Sequence, residues 1–491
     1  HHYPPETFRM ETVRADTRAH VWTENGWDGR SSGSKLPLMT VSCGNACVTA
    51  GLEWSGLWWM DGEGTTDGAC RLSCHIPVRN LRLEPGETLQ LPAAHYVFAS
   101  GGLDGASTAI RRYIRDRIVP ACEGGKLRPQ VTYNHWFGLG PNIDESVMRR
   151  QFARAAELGV GYAVLDAGWY GGCKRGDFSS GVGNWDLVDE SKFPDGLGPV
   201  GAFAREKGLK FGLWFEVERA HRDSRWARKH PAWFIDIGRD YLHLDMSRED
   251  AVDACIRVVQ HAIDAWDVKW LKLDYNIGPK LYWEEADPSG KIQFDYVRGL
   301  HRFYDTLRAN NPEVVIENCS SGGRRIDLGT MAHTHIQNLT DQTTSPEICR
   351  FTAIGAGYYL PSSITPIGIA FGTEETGRRA QGDKGLRPYD VLCRFPGLPV
   401  LYGDIASLAD SDAELLREMI RLYETEVADL LDGSVYHLTD QPASDEDCQA
   451  IALVGRDRAR ALVLIYSSYE VPCVSRAFRL RGLRPDATYA V

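Results

Sequence analysis

Up to Ser100 the chain alternates short apolar runs such as Leu36–Val41 and Leu89–Leu91 with glycine-rich turns, a pattern that predicts strands. Apolar residues then recur at helical spacing over Ala106–Ile118, which predicts a connecting helix stopped by Pro120. From Lys126 the pattern changes to strand-like apolar runs alternating with helical segments such as Ser146–Glu157 and Ala251–Ala265, the mark of βα units around a parallel sheet. Eight candidate strands end near Trp136, Asp166, Glu216, Asp245, Asp274, Cys319, Asp341 and Ser363. The expected architecture is an α/β protein: a (β/α)8 barrel over residues 125–431, an N-terminal β-sandwich portion with its linker helix over 1–124, and a C-terminal β-domain over 432–491. A last helix, Asp412–Leu431, and strands at Ala450–Val454 and Ala461–Tyr466 mark that final boundary.

Composition narrows the class. At 491 residues, 43% hydrophobic and 25% charged, the chain has the make-up of a globular protein with more than one core. A net charge of -11 with no lysine or arginine block gives nucleic acid or an anionic membrane no cationic surface to bind, so a neutral substrate is expected. No apolar run approaches the roughly 20 residues needed to span a bilayer. Twelve scattered cysteines fit reduced thiols, and a cytoplasmic protein is the resulting expectation. Opening on His1–His2 and ending in the strand-like Ala487–Val491, the chain reads as a fragment.

The candidate chemistry sits at the predicted strand ends, where a barrel collects its functional groups. Asp274 closes Trp270–Asp274 and Asp341 closes Ile336–Asp341, and two carboxylates are what glycosidic bond cleavage requires. Lys272 and Asp274 share one side of their strand, so the lysine helps to keep the aspartate ionised, as a nucleophile needs. From the residues alone, a structural ion pair competes with that reading, and a turn role competes for Asp341 and Asp245. Trp136, Trp169 and Trp214 are candidates for stacking on a sugar, with core packing an equal alternative. His135 reads as a pocket residue or a structural hydrogen-bonding group. Cys43, Cys47, Cys70, Cys74 and His75 lack a zinc spacing and read as ordinary side chains.

Taken together, Lys272–Asn276, Cys319–Arg325, Thr340–Asp341, Val164–Trp169, Gly212–Glu216, Lys192–Pro194 and Asp245–Arg248 resemble motifs of the α-galactosidases of glycoside hydrolase family 36. The resemblance runs from about Glu53 to the C-terminus, and the interval between the two acids is also similar. It implies Asp274 as nucleophile and Asp341 as acid/base of a retaining exo-α-glycosidase, with no metal or cofactor. It implies Asp166, Trp136, Trp214, Arg248, Lys272, Asn276, Cys319, Gly322 and Arg325 as the lining of the site for the terminal sugar of an oligosaccharide or glycoside. Homo-oligomer formation is left open. Where the family commonly has two adjacent acids after the second strand, this chain has Asp166–Ala167, which leaves the sugar's 4- or 6-hydroxyl one acceptor short. Leu273 and His135 also depart from the usual pattern. An α-N-acetylgalactosaminidase, a pentopyranosidase or a transglycosidase on the same scaffold is therefore an alternative, and a non-catalytic carbohydrate-binding protein a weaker one.

Overall fold

The computed structural model describes residues 8, 10, 20–24, 28–65, 69–174, 176–371, 385–442, 447–467 and 476–490; the opening His1–Pro5 and the final Val491 lie outside them. Its centre is an eight-stranded sheet whose strands, in chain order, are Thr132–Asn134, Tyr162–Leu165, Lys210–Phe215, Val268–Leu273, Val315–Asn318, Ile336–Gln337, Pro366–Phe371 and Leu398–Gly403. The spatial order runs sixth, fifth, fourth, third, second, first, eighth, seventh, and each neighbouring pair is parallel. Helices on the outside bury the other face of these strands. Glu145–Leu158, capped by the Asp144 side chain on the Val147 N–H at 2.7 Å, packs Met148, Phe152, Ala155 and Leu158 inward at helical spacing.

Six of the eight predicted strand ends fall on barrel strands, and two do not. The Tyr241–Leu244 strand before Asp245 belongs to a small antiparallel sheet with Arg219–His221 and Phe234–Ile235, outside the barrel. An alternating apolar run fits either kind of partner, and only the pairing distinguishes them. The segment before Ser363 forms a helix end and a 3-10 turn, Ser362–Ile364, and the last two barrel strands lie further on at Pro366 and Leu398. Both runs are wholly buried, and the second, like the strands before Asp166 and Asp274, is followed directly by an aspartate, Asp404.

Before the barrel, two three-stranded antiparallel sheets form, one from His20–Glu24, Trp59–Gly64 and Cys70–His75, the other from Leu38–Cys43, Ala46–Leu52 and Ala94–Ser100. Leu89–Leu91 forms no strand. The connecting helix runs over Gly102–Tyr113 and continues as a wider turn to Ile118. After the barrel, Ser434–His437, Gln449–Val454 and Ala461–Tyr466 make a third antiparallel sheet, and no strand forms at Ala487–Ala490. Among the described residues no helix is long and apolar enough to cross a membrane, and no disulfide joins the cysteines. His75 bonds Asp61 at 3.1 Å and stacks on Trp59, and no group of three His, Cys, Asp or Glu side chains among the described residues is disposed to hold a metal.

Candidate active site

The fourth barrel strand sets the site. With a side-chain period of two, Trp270, Lys272 and Asp274 succeed one another along one face of the strand. Lys272 is in register with Trp214 on the third strand and Glu317 on the fifth. Low in the barrel, Trp270 donates to Glu317 at 2.7 Å beside a void of about 10 Å³, the room of one water, lined also by Thr132, Asn134, Val164 and Tyr402. Burial pushes the Glu317 carboxyl up to about 7, the Lys272 charge and the Trp270 bond opposing.

One layer higher, Lys272 and Asp166 form an ion pair at 2.8 Å with both side chains 3% exposed. Asn134 donates to the same Asp166 oxygen at 2.6 Å, and the Ala167 N–H donates to the other at 2.8 Å. Three strand ends thus hold one carboxylate in place. His135, wholly buried, accepts the Asp166 N–H on Nδ1 at 3.0 Å, so it supports the backbone beneath that acid. Burial drives its ring down to about 4, leaving the imidazole neutral.

Asp274 forms the upper layer. Its Oδ1 accepts the Tyr275 N–H at 2.7 Å and the Ser321 N–H at 3.3 Å, while Oδ2 accepts the Asn276 amide at 2.9 Å and the Trp214 indole at 3.2 Å. Burial alone would raise this carboxyl, but the Lys272 charge and the donors from Asn276, Tyr275 and Cys319 hold it below the ordinary aspartate value. It is therefore an ionised, half-buried carboxylate at the barrel mouth. Glu216 takes the Asn276 N–H at 2.6 Å and its amide at 3.2 Å, and is itself bound by Arg219 at 2.6 Å.

Cys319 ends the fifth strand, with the Asn338 amide 3.4 Å from its sulfur. Burial keeps its thiol protonated, and the negative charges of Asp274 and Asp341 both reinforce that. The two acids singled out in the sequence therefore both lie within electrostatic range of one thiol, each beyond the end of a different strand. Asp341 is half-buried at the end of the sixth-strand segment. Trp136 lies edge-on to Phe178 at 4.9 Å, and Phe178 edge-on to Trp214 at 6.1 Å, so an aromatic row borders the rim. Trp169, by contrast, is wholly buried among Tyr170, Trp185 and Phe215.

Two expected lining residues lie elsewhere. Arg248 is 41% exposed, pairs with Asp250 at 3.2 Å and precedes the Glu249–Trp266 helix, because the strand leading to it is not a barrel strand. Arg325 is 2% exposed and is taken up by Glu218 at 2.8 Å and the Tyr304 hydroxyl at 3.0 Å, with its guanidinium over the Tyr275 ring, so it braces the loop from behind. Gly322, at φ +82°, and Ser321, at φ +45°, form the left-handed turn that brings the Ser321 N–H to Asp274. Ser321, Tyr275, Glu216 and Phe178 escaped the sequence reading as site residues. The doublet Ser320–Ser321 before Gly322–Gly323 was the only local signal for the first, and Phe178 lies in a loop with no apolar periodicity at all.

Residues 88–427 match the Melibiase family model. The chain is 28% identical over 485 residues to α-galactosidase AgaA of Geobacillus stearothermophilus, covering 94% of this chain and 65% of that protein, and 29% identical to an Escherichia coli α-galactosidase, again over 94% and 65%. It thus spans just under two thirds of the length of these relatives. The crystal structure of the Geobacillus enzyme superposes with a TM-score of 0.84 at 25% identity, covering 95% of this chain and 66% of that one. With the family model covering well over half of its length, this chain belongs to the Melibiase family.

Proposed function

We propose that the protein is a retaining exo-α-glycosidase that removes a terminal α-galactose-like sugar from an oligosaccharide or glycoside. The observation that carries this reading is Asp274, a half-buried carboxylate held ionised by Lys272 and by donors from three separate chain segments, Tyr275–Asn276, Ser321 and Trp214. Such a group is expensive to maintain in a barrel mouth unless its charge is used. In the proposed reaction an Asp274 oxygen attacks the anomeric carbon as the bond to the departing oxygen breaks, and Asp341 gives that oxygen its proton. Asp341 then takes a proton from water, which attacks the glycosyl ester and frees Asp274, so two inversions leave the configuration unchanged. Asp166, Lys272, Trp136, Trp214, Asn276, Cys319 and Gly322 supply the surroundings of the sugar, and residues 125–431 are the catalytic unit between the flanking β regions.

Relatives support the substrate class: a variant of AgaA has been crystallised in complex with 1-deoxygalactonojirimycin. Ala167 favours a second reading of the sugar. It is 1% exposed and offers only a backbone N–H, which Asp166 already accepts. A site one carboxylate short at the 6-hydroxyl suits a pentopyranoside, which lacks the exocyclic C6 group and keeps only its 4-hydroxyl on that side. The test is a panel of p-nitrophenyl α-galactoside, α-N-acetylgalactosaminide and β-L-arabinopyranoside, assayed with the wild type and Asp274→Ala. At least one substrate should be turned over by the wild type and lose at least about 1000-fold in the variant, as for a missing nucleophile. Unaltered turnover by Asp274→Ala would refute the assignment.

A further inference from the structure

The carboxylate network of Asp274 does not end within the barrel. Residues Asp28–Ser32, which precede the strand Leu38–Cys43 of the N-terminal sheets, insert against the loop after the fifth barrel strand. Ser32 bonds through its N–H to the Arg324 carbonyl at 2.9 Å and through its hydroxyl to the Gly323 carbonyl at 2.6 Å, and it accepts the Ile326 N–H at 2.7 Å. Between these contacts Arg30, 5% exposed, clamps Asp28 with Nε at 3.0 Å and Nη2 at 2.6 Å. Its Nη1 reaches the Tyr275 carbonyl at 3.2 Å and the Ser321 hydroxyl at 3.0 Å. The two residues it touches are those whose backbone N–H groups bind Asp274.

The chemistry of these groups fixes a direction. Arginine only donates, so the Ser321 oxygen accepts from Arg30 and directs its own proton to Asn276 Oδ1, 2.7 Å away. With Oδ1 occupied by a donor, the Asn276 Nδ2 must face the other way, toward the acceptor-only carboxylates of Asp274 and Glu216. Rotating the amide would set its oxygen against two carboxylates and take away the acceptor of the Ser321 proton.

We propose that Arg30 is a positioning residue of the active site, which through the Ser321 hydroxyl sets the orientation of the Asn276 amide on Asp274 and so makes the N-terminal β region a working part of the catalytic centre. The proposal rests on Asp274 being the nucleophile. Besides Asn276, the groups whose charges bear on Asp274 are Lys272 on its own strand, Glu216 and Glu218 beyond the third strand, and Glu317 and Cys319 on the fifth. None of them is altered by the variants below.

The experiment is trapping of the glycosyl-enzyme with a 5-fluoro glycosyl fluoride of the configuration found active in the substrate panel. Its fluoride leaves without acid assistance, so the rate reports on the nucleophile and not on Asp341. Wild type, Ser321→Ala, Arg30→Lys and the double variant are compared, with the labelled peptide identified by mass spectrometry and folding followed by circular dichroism. Label on Asp274 in the wild type, with a trapping rate lowered about 10-fold in Ser321→Ala and an acidic limb displaced to higher pH, is the expected result. KM for the substrate should change far less than kcat. Arg30→Lys should fall in the same direction, and the double variant should match the worse single variant, as two links of one relay do. Wild-type rates and pH profile in Ser321→Ala, or strictly additive losses in the double variant, would overturn the relay while leaving the nucleophile in place. Label on any other residue in the wild type would instead overturn the functional reading itself. Should Ser321→Ala fail to fold, Arg30→Lys alone decides by the same rate and limb.

Discussion

Charges in this barrel are stacked by depth, and each layer has its own pH behaviour. At the rim Asp274 is held ionised below the usual carboxylate range, so the acidic limb of kcat/KM assigned to it should lie below the value of an ordinary aspartate, about 3.9. At the bottom Glu317 titrates at about 7 because burial outweighs the help from Lys272 and Trp270. A carboxyl whose folded value exceeds its unfolded one binds more protons when folded, so its contribution to stability is full below about pH 4.3 and is lost as pH rises toward 7. Glu317→Gln removes this dependence. Urea unfolding should show the variant gaining on the wild type by on the order of 3 kcal/mol between pH 5 and pH 8. Equal pH slopes for the two proteins would mean that Glu317 keeps its charge in the fold. Ala167→Asp is the complementary change at the rim. If the missing acceptor limits galactoside turnover, kcat/KM for p-nitrophenyl α-galactoside should rise by about 10-fold or more, and a fall would show that the pocket has adapted to its absence.

At the scale of elements, the carboxyl ends of the last two barrel strands are joined by close backbone approach. Gly403 ends the eighth strand at φ +90°, where a Cβ would come 1.9 Å from the Phe371 carbonyl of the seventh strand and 2.6 Å from the Phe137 carbonyl after the first. Only glycine fits both the conformation and the space. Gly403→Ala should cost about 3 kcal/mol or more, read as a lower urea midpoint. A change below about 0.5 kcal/mol would mean that the rim relaxes freely there. The same scale explains two misread strands. Tyr241–Leu244 has the right alternation for a barrel strand but only 24 residues separate it from Glu216, and it folds back onto Arg219–His221 instead. Pro366–Phe371 and Leu398–Gly403 are wholly buried and show no period-two alternation, so pattern alone does not separate such runs from a buried helical segment.

Across the whole molecule, ion pairs bridge segments far apart in sequence. Arg115, at the end of the connecting helix, binds Asp432, at the entrance to the C-terminal sheet, at 2.6 and 3.2 Å. Burial acts to raise the Asp432 carboxyl, yet the Arg115 bond and charge bring it below its ordinary value. The sign is opposite to that of Glu317: the stability it supplies is complete above the unfolded value near about 3.9 and disappears as pH falls through the lower folded value. Asp432→Asn should lower the melting temperature at neutral pH and narrow its gap to the wild type toward pH 3. A gap independent of pH would assign the loss to packing.

Local pattern was enough to determine the sequence of elements: the helices at Gly102, Glu145 and Glu249, six of the barrel strands, and the alternation that sets Lys272 and Asp274 on one face. These follow from periodicity and capping, which operate over a few residues and are written into the chain directly. It also marked the carboxylates and the cysteine that meet at the rim. Tertiary structure alone decided which strand ends share that rim, since pairing partners are chosen by the closure of the sheet; this removed Arg248 and turned Arg325 to the back of its loop. It alone also joined Arg30 to Ser321 across 291 positions, because a hydrogen-bond relay between distant segments leaves no period for the sequence to display.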